Sequence, residues 1–285
     1  FLIYCNMTCS LILCTLNRVE EVAEFFQSLV IQTFKDFECI VVDQNEDDRL
    51  DSIIKEYSDK ITIKHIKSIK KGLSLNRNLG LTYALGSIVA FPDDDCEYLS
   101  ITLEQVVSFF SHNECYRLFT INTVSKTSNI WYNSQRSKVQ LNNRNYYRYA
   151  ISMGIFVRYR SLSDLSFDEQ LGVGCYFGAG EESDFISNLL TLGYDGIYDG
   201  SMFVYHPSEV PVVALKDRYI KYSLGYGALM KKEIIYRHKY YMLVKLIFDL
   251  LGRIVAACLP IEKRKLYWYS FKYRLLGYIK YTIKK

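Results

Sequence analysis

Three consecutive carboxylates, Asp93-Asp94-Asp95, follow the apolar, strand-like segment Ser87-Ile88-Val89-Ala90 and the pair Phe91-Pro92. Adjacent carboxylates repel one another unless a cation neutralises them, and hard oxygen ligands suit Mg2+ or Mn2+, a metal of the kind that clamps a diphosphate. An acidic turn facing water is the plainer alternative, but a turn has no need of the apolar strand before it. A second acidic group, Glu181, Glu182 and Asp184, opens a helical pattern over 181–192 whose core face is Phe185, Ile186, Leu189 and Leu190. Acids at a helix start offset the macrodipole, which explains their charge but not the preceding Gly178-Ala179-Gly180. His206, in Phe203-Val204-Tyr205-His206-Pro207, offers an imidazole that completes a metal shell, donates to a phosphate, or is simply a satisfied polar group at a strand end.

The elements that position these residues can be read from hydrophobic periodicity. Cys9–Thr15 is a buried first strand, followed by Leu16-Asn17-Arg18. A helix over 19–32 carries Val22, Phe25, Phe26 and Leu29 on one face, and Phe37–Asp43 is a second strand ending in an acid. A helix over about 48–58, an alternating strand Ile61–Ile66 and a helix over 74–86 lead to the strand that bears the Asp triplet. This alternation predicts an α/β fold with a mostly parallel sheet and helices on both faces. Ligands of such sheets bind at the C-terminal strand ends, where Thr15, Asp43 and Asp93 fall. From about 100 to 200 the pattern is less regular.

Composition narrows the function classes. At 285 residues with 49% apolar content, the chain fits one large domain or a domain with an appendage. Its eight cysteines include no Cys-x-x-Cys pair, so structural zinc is not expected, and several lie in apolar runs where a thiol acts as a small hydrophobe. A reducing cytoplasm is the simplest compartment. The net charge of +4 hides an asymmetry: residues 216–285 carry 17 Lys and Arg against 4 Asp and Glu, and the remainder 18 against 27. A basic tail on an acidic body points to a polyanionic surface. Within it the apolar run 240–261 is interrupted by Lys245, Asp249 and Arg253, four residues apart and so on one helical face. That run is too charged to span a bilayer. It suits an amphipathic helix lying on a membrane, with Lys263-Arg264-Lys265 against anionic lipid, or an amphipathic helix packed on the main domain or in a homodimer. Eleven of the 25 tyrosines and Trp268 lie in the tail, and these types favour the headgroup layer. Nucleic acid is not an expected partner, since no recognition motif accompanies the basic tail.

The ordered set Thr15-Leu16-Asn17-Arg18, Val41-Val42-Asp43, Lys71-Gly72-Leu73-Ser74 with Arg77-Asn78, Asp93-Asp94-Asp95, Gly180-Glu181-Glu182-Ser183-Asp184 and His206-Pro207 resembles a family two glycosyltransferase over roughly residues 8–210. The resemblance implies a GT-A fold, a nucleotide-diphospho sugar donor, inversion at the anomeric centre, and Mn2+ or Mg2+ as cofactor. Asp93 and Asp95 match the outer acids of the family's Asp-x-Asp motif. Asp95 is then a metal ligand, Asp93 contacts ribose and metal, Asp94 is the variable middle position, set with its neighbours in the donor site or simply facing water, and His206 completes the metal shell. Glu181-Glu182 resembles the Glu-Asp motif whose second acid is the general base. That role falls on Glu182, a Glu where Asp is usual, with Asp184 the second candidate. Asp43 resembles the acid that reads the uracil N3–H, which favours a UDP-hexose and leaves a dTDP-sugar open. Thr15, Asn17 and Arg18 match the loop beside base and ribose, and Lys71 and Arg77 are placed to meet the diphosphate. Residues 152–156 and 167–172, with Trp131 and nearby tyrosines, are expected to frame the acceptor.

The expected organisation is a catalytic domain over 7–215 and a basic, aromatic helical tail over 216–285, with residues 1–6 an extension. The expected activity is addition of a sugar to a lipid-linked saccharide at the inner face of a bacterial membrane, in surface polysaccharide assembly. Two other classes stay open. A nucleotidyltransferase should carry a Gly- and Lys-rich first loop, which Thr15–Arg18 is not; a non-catalytic scaffold subunit would not need the acids.

Overall fold

The computed structural model describes residues 7–133, 138–207, 215–260 and 264–283. Residues 1–6 and Lys263 of the basic run lie outside the described residues. The chain forms two compact units. The first comprises residues up to Lys71, Leu75–Phe167 and the stretch from Phe185 to Pro207; the second comprises Gly72–Ser74, Asp168–Asp184 and the described residues from Leu215 onward.

The first unit is built on one sheet. Its strands are β1 (Met7–Thr15), β2 (Phe37–Asp43), β3 (Thr62–Lys67), β4 (Gly86–Ala90), β5 (Leu118–Val124), β6 (Lys138–Leu141), β7 (Ile155–Arg158) and β8 (Gly196–Tyr205), in the spatial order β3-β2-β1-β4-β7-β5-β8-β6. β1 to β4 run parallel, β8 is parallel to β5, and β7 and β6 are antiparallel to their neighbours. β1 and β2 are buried almost throughout, which is why they read as continuous apolar runs rather than alternating ones. Two polar side chains inside this layer satisfy each other: Ser10 donates to Glu38 at 2.6 Å, and Glu38 accepts from the Leu85 amide at 2.8 Å.

The helices of this α/β alternation are α1 (Glu20–Val30), α2 (Asp51–Tyr57), α3 (Leu73–Leu81), α4 (Thr102–His112) and α5 (Glu181–Thr191). α1 buries Val22, Phe25, Phe26 and Leu29, the face its periodicity predicts. α3 is shorter than the expected 74–86. After Leu81 the chain tightens into turns, with the Thr82 and Tyr83 amides bonded to carbonyls three residues back, and Gly86 already belongs to β4. The stretch from 100 to 200 that lacks a clear sequence pattern contains β5, β6 and β7. β5 is buried at every position yet carries Thr120, Asn122 and Thr123, so neither an apolar run nor an alternation betrays it.

The second unit is helical, with α6 (Leu215–Lys231), a π-helical turn (Lys232–Tyr236), α7 (Tyr241–Cys258) and α8 (Arg264–Lys280). α6 and α8 cross with backbones in contact. A Cβ on Gly227 would lie 2.0 Å from the Arg274 carbonyl oxygen, and one on Gly277 would lie 2.2 Å from that of Leu224, so only glycine permits this approach. Leu171, Phe177, Leu224, Ala228 and Tyr281 form one apolar cluster. Beside it lies a buried ionic network. Lys232 bridges Asp168 (2.6 Å) and Asp184 (2.7 Å); Arg237 joins Asp184 (2.7 Å) to Glu233 (2.5 Å); Lys239 completes the set on Glu233 (2.8 Å).

Candidate functional site

The parallel register sets Thr15 of β1 beside Asp43 of β2, and Asp43 beside Lys67 of β3. Asp43 is fully buried. One carboxylate oxygen accepts from the Asn45 amide (2.8 Å) and side chain (2.7 Å), and the other meets His65 (3.0 Å) and Lys67 (3.1 Å). Burial works to raise its pKa, but these partners outweigh it and hold the carboxyl below its usual range. Asn45 in turn accepts from the Asn17 amide at 2.7 Å, and Asn17 takes a left-handed φ of 62° to present it. An open cleft of about 460 Å³ lies here, lined by Asn45, Glu46, Asp48, Lys67, Ser68 and Ile69. Four bonds fill a carboxylate's acceptor capacity. Asp43 therefore anchors the rim of the cleft, and reading a base N–H directly requires one of the four to give way.

β4 stops at Ala90, and Pro92, which has no amide to give a sheet, releases the chain into the acidic triplet. Phe91 stays in the core, edge-on to Phe167 and Phe185 at centroid distances of 4.9 and 5.3 Å. Asp93 accepts from Arg77 (3.0 Å) and from the Ser152 hydroxyl (3.1 Å). Arg77 is 1% exposed and its guanidinium lies 5.3 Å from the Phe167 ring centre. Expected from the sequence beside the diphosphate, it is a buried support for Asp93. Asp94 also departs from expectation. Its side chain is only 13% exposed and is bonded to Arg18 at 2.7 Å, so the middle acid does not face water. Burial, reinforced by the neighbouring acids, pushes its carboxyl up to about 6 against the pull of Arg18. Arg18 also pairs with Asp95, so it lies across the acids. Lys71 donates to the Gln44 carbonyl and pairs with Glu46 at 3.4 Å.

His206, just beyond β8, meets Asp95 at 3.2 Å. Burial would lower the imidazole pKa, but the hydrogen bond and charge of Asp95, with Asp93 behind it, raise it. Asp95 is correspondingly held below its usual range: burial is outweighed by His206 and Arg18. Asp93, Asp95 and His206 offer one ligand atom each, all within 4.8 Å of one another, which is a spacing that one cation can bridge. Two carboxylates and an imidazole fit a divalent ion of the Mn2+ kind. The triplet, far apart in sequence from His206, is thus brought together with it by the pairing of the Glu97 and Tyr205 backbones.

The acids at the start of α5 have different surroundings. Gly180 reverses the chain at φ +94° just before the helix. Glu181 is 3% exposed, and Gly172 leaves room for it: a Cβ there would lie 3.0 Å from its carboxyl carbon. Asp184, the second candidate base, is buried between Lys232 and Arg237 and belongs to the ionic network. Glu182 is half-buried.

The sequence profile described as Glycosyl transferase family 2 matches residues 10–170, more than half of the chain. The chain belongs to glycosyl transferase family 2. The matched span includes Thr15, Asp43 and the acidic triplet, and it ends before α5 and His206. A GalNAc(5)-diNAcBac-PP-undecaprenol beta-1,3-glucosyltransferase of Campylobacter jejuni is 37% identical over 101 residues, 34% of this chain and 33% of that protein. The chain thus spans well under two thirds of the length of the curated relatives it matches. Among solved structures, S. aureus TarS 1–349 with UDP-GlcNAc aligns at a TM-score of 0.62 and 19% identity, covering 95% of this chain and 89% of that one. The mannosyltransferase PcManGT of Pyrobaculum calidifontis, in complex with GDP-Man and Mn2+, aligns at 0.63 and 14% identity, covering 95% and 85%. These likenesses establish the GT-A fold.

Within this family 2 chain the sequence pattern passed over His65 and Lys67, and it set Ser152 among the residues framing an acceptor rather than beside Asp93. Ser152 comes from a 3-10 turn (Ser152–Gly154) ahead of β7 and reaches Asp93 across 59 residues of sequence. Ile155 and Phe156, expected to frame an acceptor, are buried sheet residues instead. His65 and Lys67 alternate on β3, and a period-two polar face pointing at the Asp43 end of β2 was the available signal.

Proposed function

We infer that the chain is an inverting, metal-dependent glycosyltransferase that moves a sugar from a nucleotide-diphospho sugar to a saccharide acceptor. The observation that carries this reading is the convergence of Asp93, Asp95 and His206, braced by Arg77 and Ser152, at the C-terminal ends of the sheet strands. Asp95, Asp93 and His206 would hold Mn2+ or Mg2+, whose positive charge offsets the charge that develops on the departing diphosphate. Arg77 holds Asp93 in orientation, and Arg18 and Lys71 supply cationic side chains, 37% and 41% exposed, on the same strand-end rim. Glu182 is the proposed base that takes the acceptor hydroxyl proton, because Glu181 is buried and Asp184 is bound by two cations. Attack from the face opposite the leaving group inverts the anomeric centre.

A UDP-hexose is the preferred donor, with a dTDP-sugar the alternative. A lipid-linked saccharide at the inner membrane face is the preferred acceptor, in keeping with the undecaprenol-linked substrate in the name of the Campylobacter relative. The catalytic machinery is assigned to residues 7–215, and the tail 216–285 to the membrane surface or a second copy. A panel of UDP-, dTDP- and GDP-sugars, with and without Mn2+ or Mg2+, tests the reading through nucleotide diphosphate release. Asp95→Asn should lower turnover by roughly 10²–10³-fold, and Glu182→Gln by roughly 10²–10⁴-fold with donor binding retained. An Asp95→Asn protein that keeps full turnover, or a panel with no donor bound under either metal, sinks the enzyme reading.

A further inference from the structure

α7 is built inside out. Its ionic side chains Lys245, Asp249 and Arg253 are only partly exposed and turn inward: Lys245 and Arg274 lie 3.2 and 3.6 Å from Asp249, Tyr226 also donates to Asp249, and Arg253 stacks 5.6 Å from the Tyr267 ring centre. Met242 and Leu246 are the buried apolar residues of the same inner face. The opposite face is an apolar stripe in solvent: Val244 (57% exposed), Ile247 (48%), Phe248 (70%), Leu251 (52%) and Val255 (61%). These follow one another by steps of one, three or four residues, the spacing of one continuous helical face. A helix packed for its own sake on a soluble domain would present the reverse arrangement. No helix among the described residues is long and apolar enough to cross a membrane.

The neighbouring chemistry selects the occupant of this stripe. α8, which packs on α7, exposes Arg264, Lys265, Lys272 and Lys280, and Trp268 stands 54% exposed between two of the lysines. Asp249, the acid of α7, is committed to its inward pairs. An apolar stripe on one helix, packed against a helix that exposes lysines and a Trp, matches acyl chains below an anionic headgroup layer. A twofold pairing of copies through α7 would instead bring two basic α8 helices together without acids between them.

We propose that the Val244–Val255 stripe of α7 is a membrane-docking face that lies in the interface of an anionic bilayer, with the basic residues and Trp268 of α8 at the headgroups. The docking face deepens the proposed transfer to a lipid-linked acceptor and rests on that reading for its purpose, since a reaction on a lipid-anchored sugar gains when enzyme and acceptor share one surface.

The test is co-flotation of the full chain with phosphatidylcholine vesicles, with and without phosphatidylglycerol, alongside diphosphate release with a water-soluble acceptor. The full chain should float with the phosphatidylglycerol vesicles. The triple variant Val244→Ser, Phe248→Ser, Leu251→Ser, which alters only exposed positions, should bind them on the order of 100-fold more weakly. Lys265→Glu with Lys272→Glu should weaken binding by about fivefold per residue, and added salt should do likewise. In both variants release with the soluble acceptor should match the parent. The proposal is overturned by a full chain that ignores vesicles, by a triple variant that binds as well as the parent, or by a dimer in sedimentation that the triple variant splits while lipid binding is absent. Vesicle binding lost in the triple variant, in a protein that releases no diphosphate, supports the docking face and removes the transferase reading alone.

Discussion

Glu233→Gln should destabilise the helical unit by about 3 kcal/mol at neutral pH, and the reason is charge balance. Three carboxylates, Asp168, Asp184 and Glu233, face three cations, Lys232, Arg237 and Lys239, with side-chain exposures of 12, 3 and 0% for the acids and 14, 10 and 9% for the cations. Glutamine keeps the volume of Glu233 but leaves Arg237 sharing Asp184 with Lys232 and deprives Lys239 of its anion. Breaking one member of a buried pair typically costs about 3–5 kcal/mol, and the retained amide favours the lower end. That corresponds to a fall of roughly 6–12 °C in melting temperature for a protein of this size class. The deficit should depend on pH in a definite direction. Burial lowers the Lys239 pKa although Glu233 works to raise it, so Glu233→Gln lowers it further. A lysine whose folded pKa lies below its unfolded value destabilises the fold at neutral pH. That penalty fades as pH rises through the folded pKa towards the unfolded one and the unfolded chain sheds its proton too. The gap between the two proteins should therefore narrow in alkaline buffer. Thermal unfolding followed by far-ultraviolet circular dichroism measures it, with Glu233→Gln/Lys239→Met as the companion, since removing both charges should restore much of the loss. A single variant that melts within 2 °C of the parent, or a double variant no better than the single, refutes the balance argument.

Gly277→Ala should cost about 2 kcal/mol net. Its methyl group would meet the Leu224 carbonyl at 2.2 Å and must part α6 from α8, which outweighs the roughly 1 kcal/mol gained in helix propensity; an unchanged or raised urea midpoint contradicts this. Binding of Mn2+ with donor should strengthen as pH rises through the raised pKa of His206, by up to about tenfold per pH unit below it, because a protonated imidazole cannot ligate. Calorimetry in two buffers of different ionisation enthalpy should show proton release that His206→Ala abolishes, and a profile that stays flat as pH rises from the ordinary imidazole pKa of 6.5 would remove His206 from the metal shell.

The strands that end in Thr15, Asp43 and the acidic triplet were legible because parallel, doubly buried strands write themselves as apolar runs, and an acid at the end of such a run is conspicuous. The helix opening at Glu181 was equally plain from Phe185, Ile186 and Leu189, all buried. β5, β6 and β7 were not legible. β5 hides polar side chains inside the sheet, β6 and β7 have four residues each, and their pairing is decided by partners remote in sequence. The fate of individual acids was also beyond the sequence. Asp184 and Glu182 are near neighbours of similar type, and only the arrival of Lys232 and Arg237 on the first separates them. The spacing of Lys245, Asp249 and Arg253 placed them on one face of α7, but which face the protein covers depends on Tyr226, Tyr267 and Arg274.

What separates the acidic triplet from the ionic network is how easily its counter-charge can leave. Both hold three carboxylates against basic partners. In the network every cation is at most 14% exposed and tied to an acid at 2.8 Å or less, so exchanging one means opening the helical unit. At the triplet, Arg77 is fixed at 1% exposure, but Arg18 is 37% exposed and His206 is 24% exposed and can surrender its charge by losing a proton. Two of the three balancing charges can thus be withdrawn without unfolding anything, and their withdrawal uncovers Asp95 beside an Asp93 that Arg77 and Ser152 still orient. A carboxylate pair that the fold holds in place while leaving its neutralisation replaceable is suited to trade a side-chain cation for a metal ion with its diphosphate. A pair neutralised only by buried cations is suited to hold a structure together.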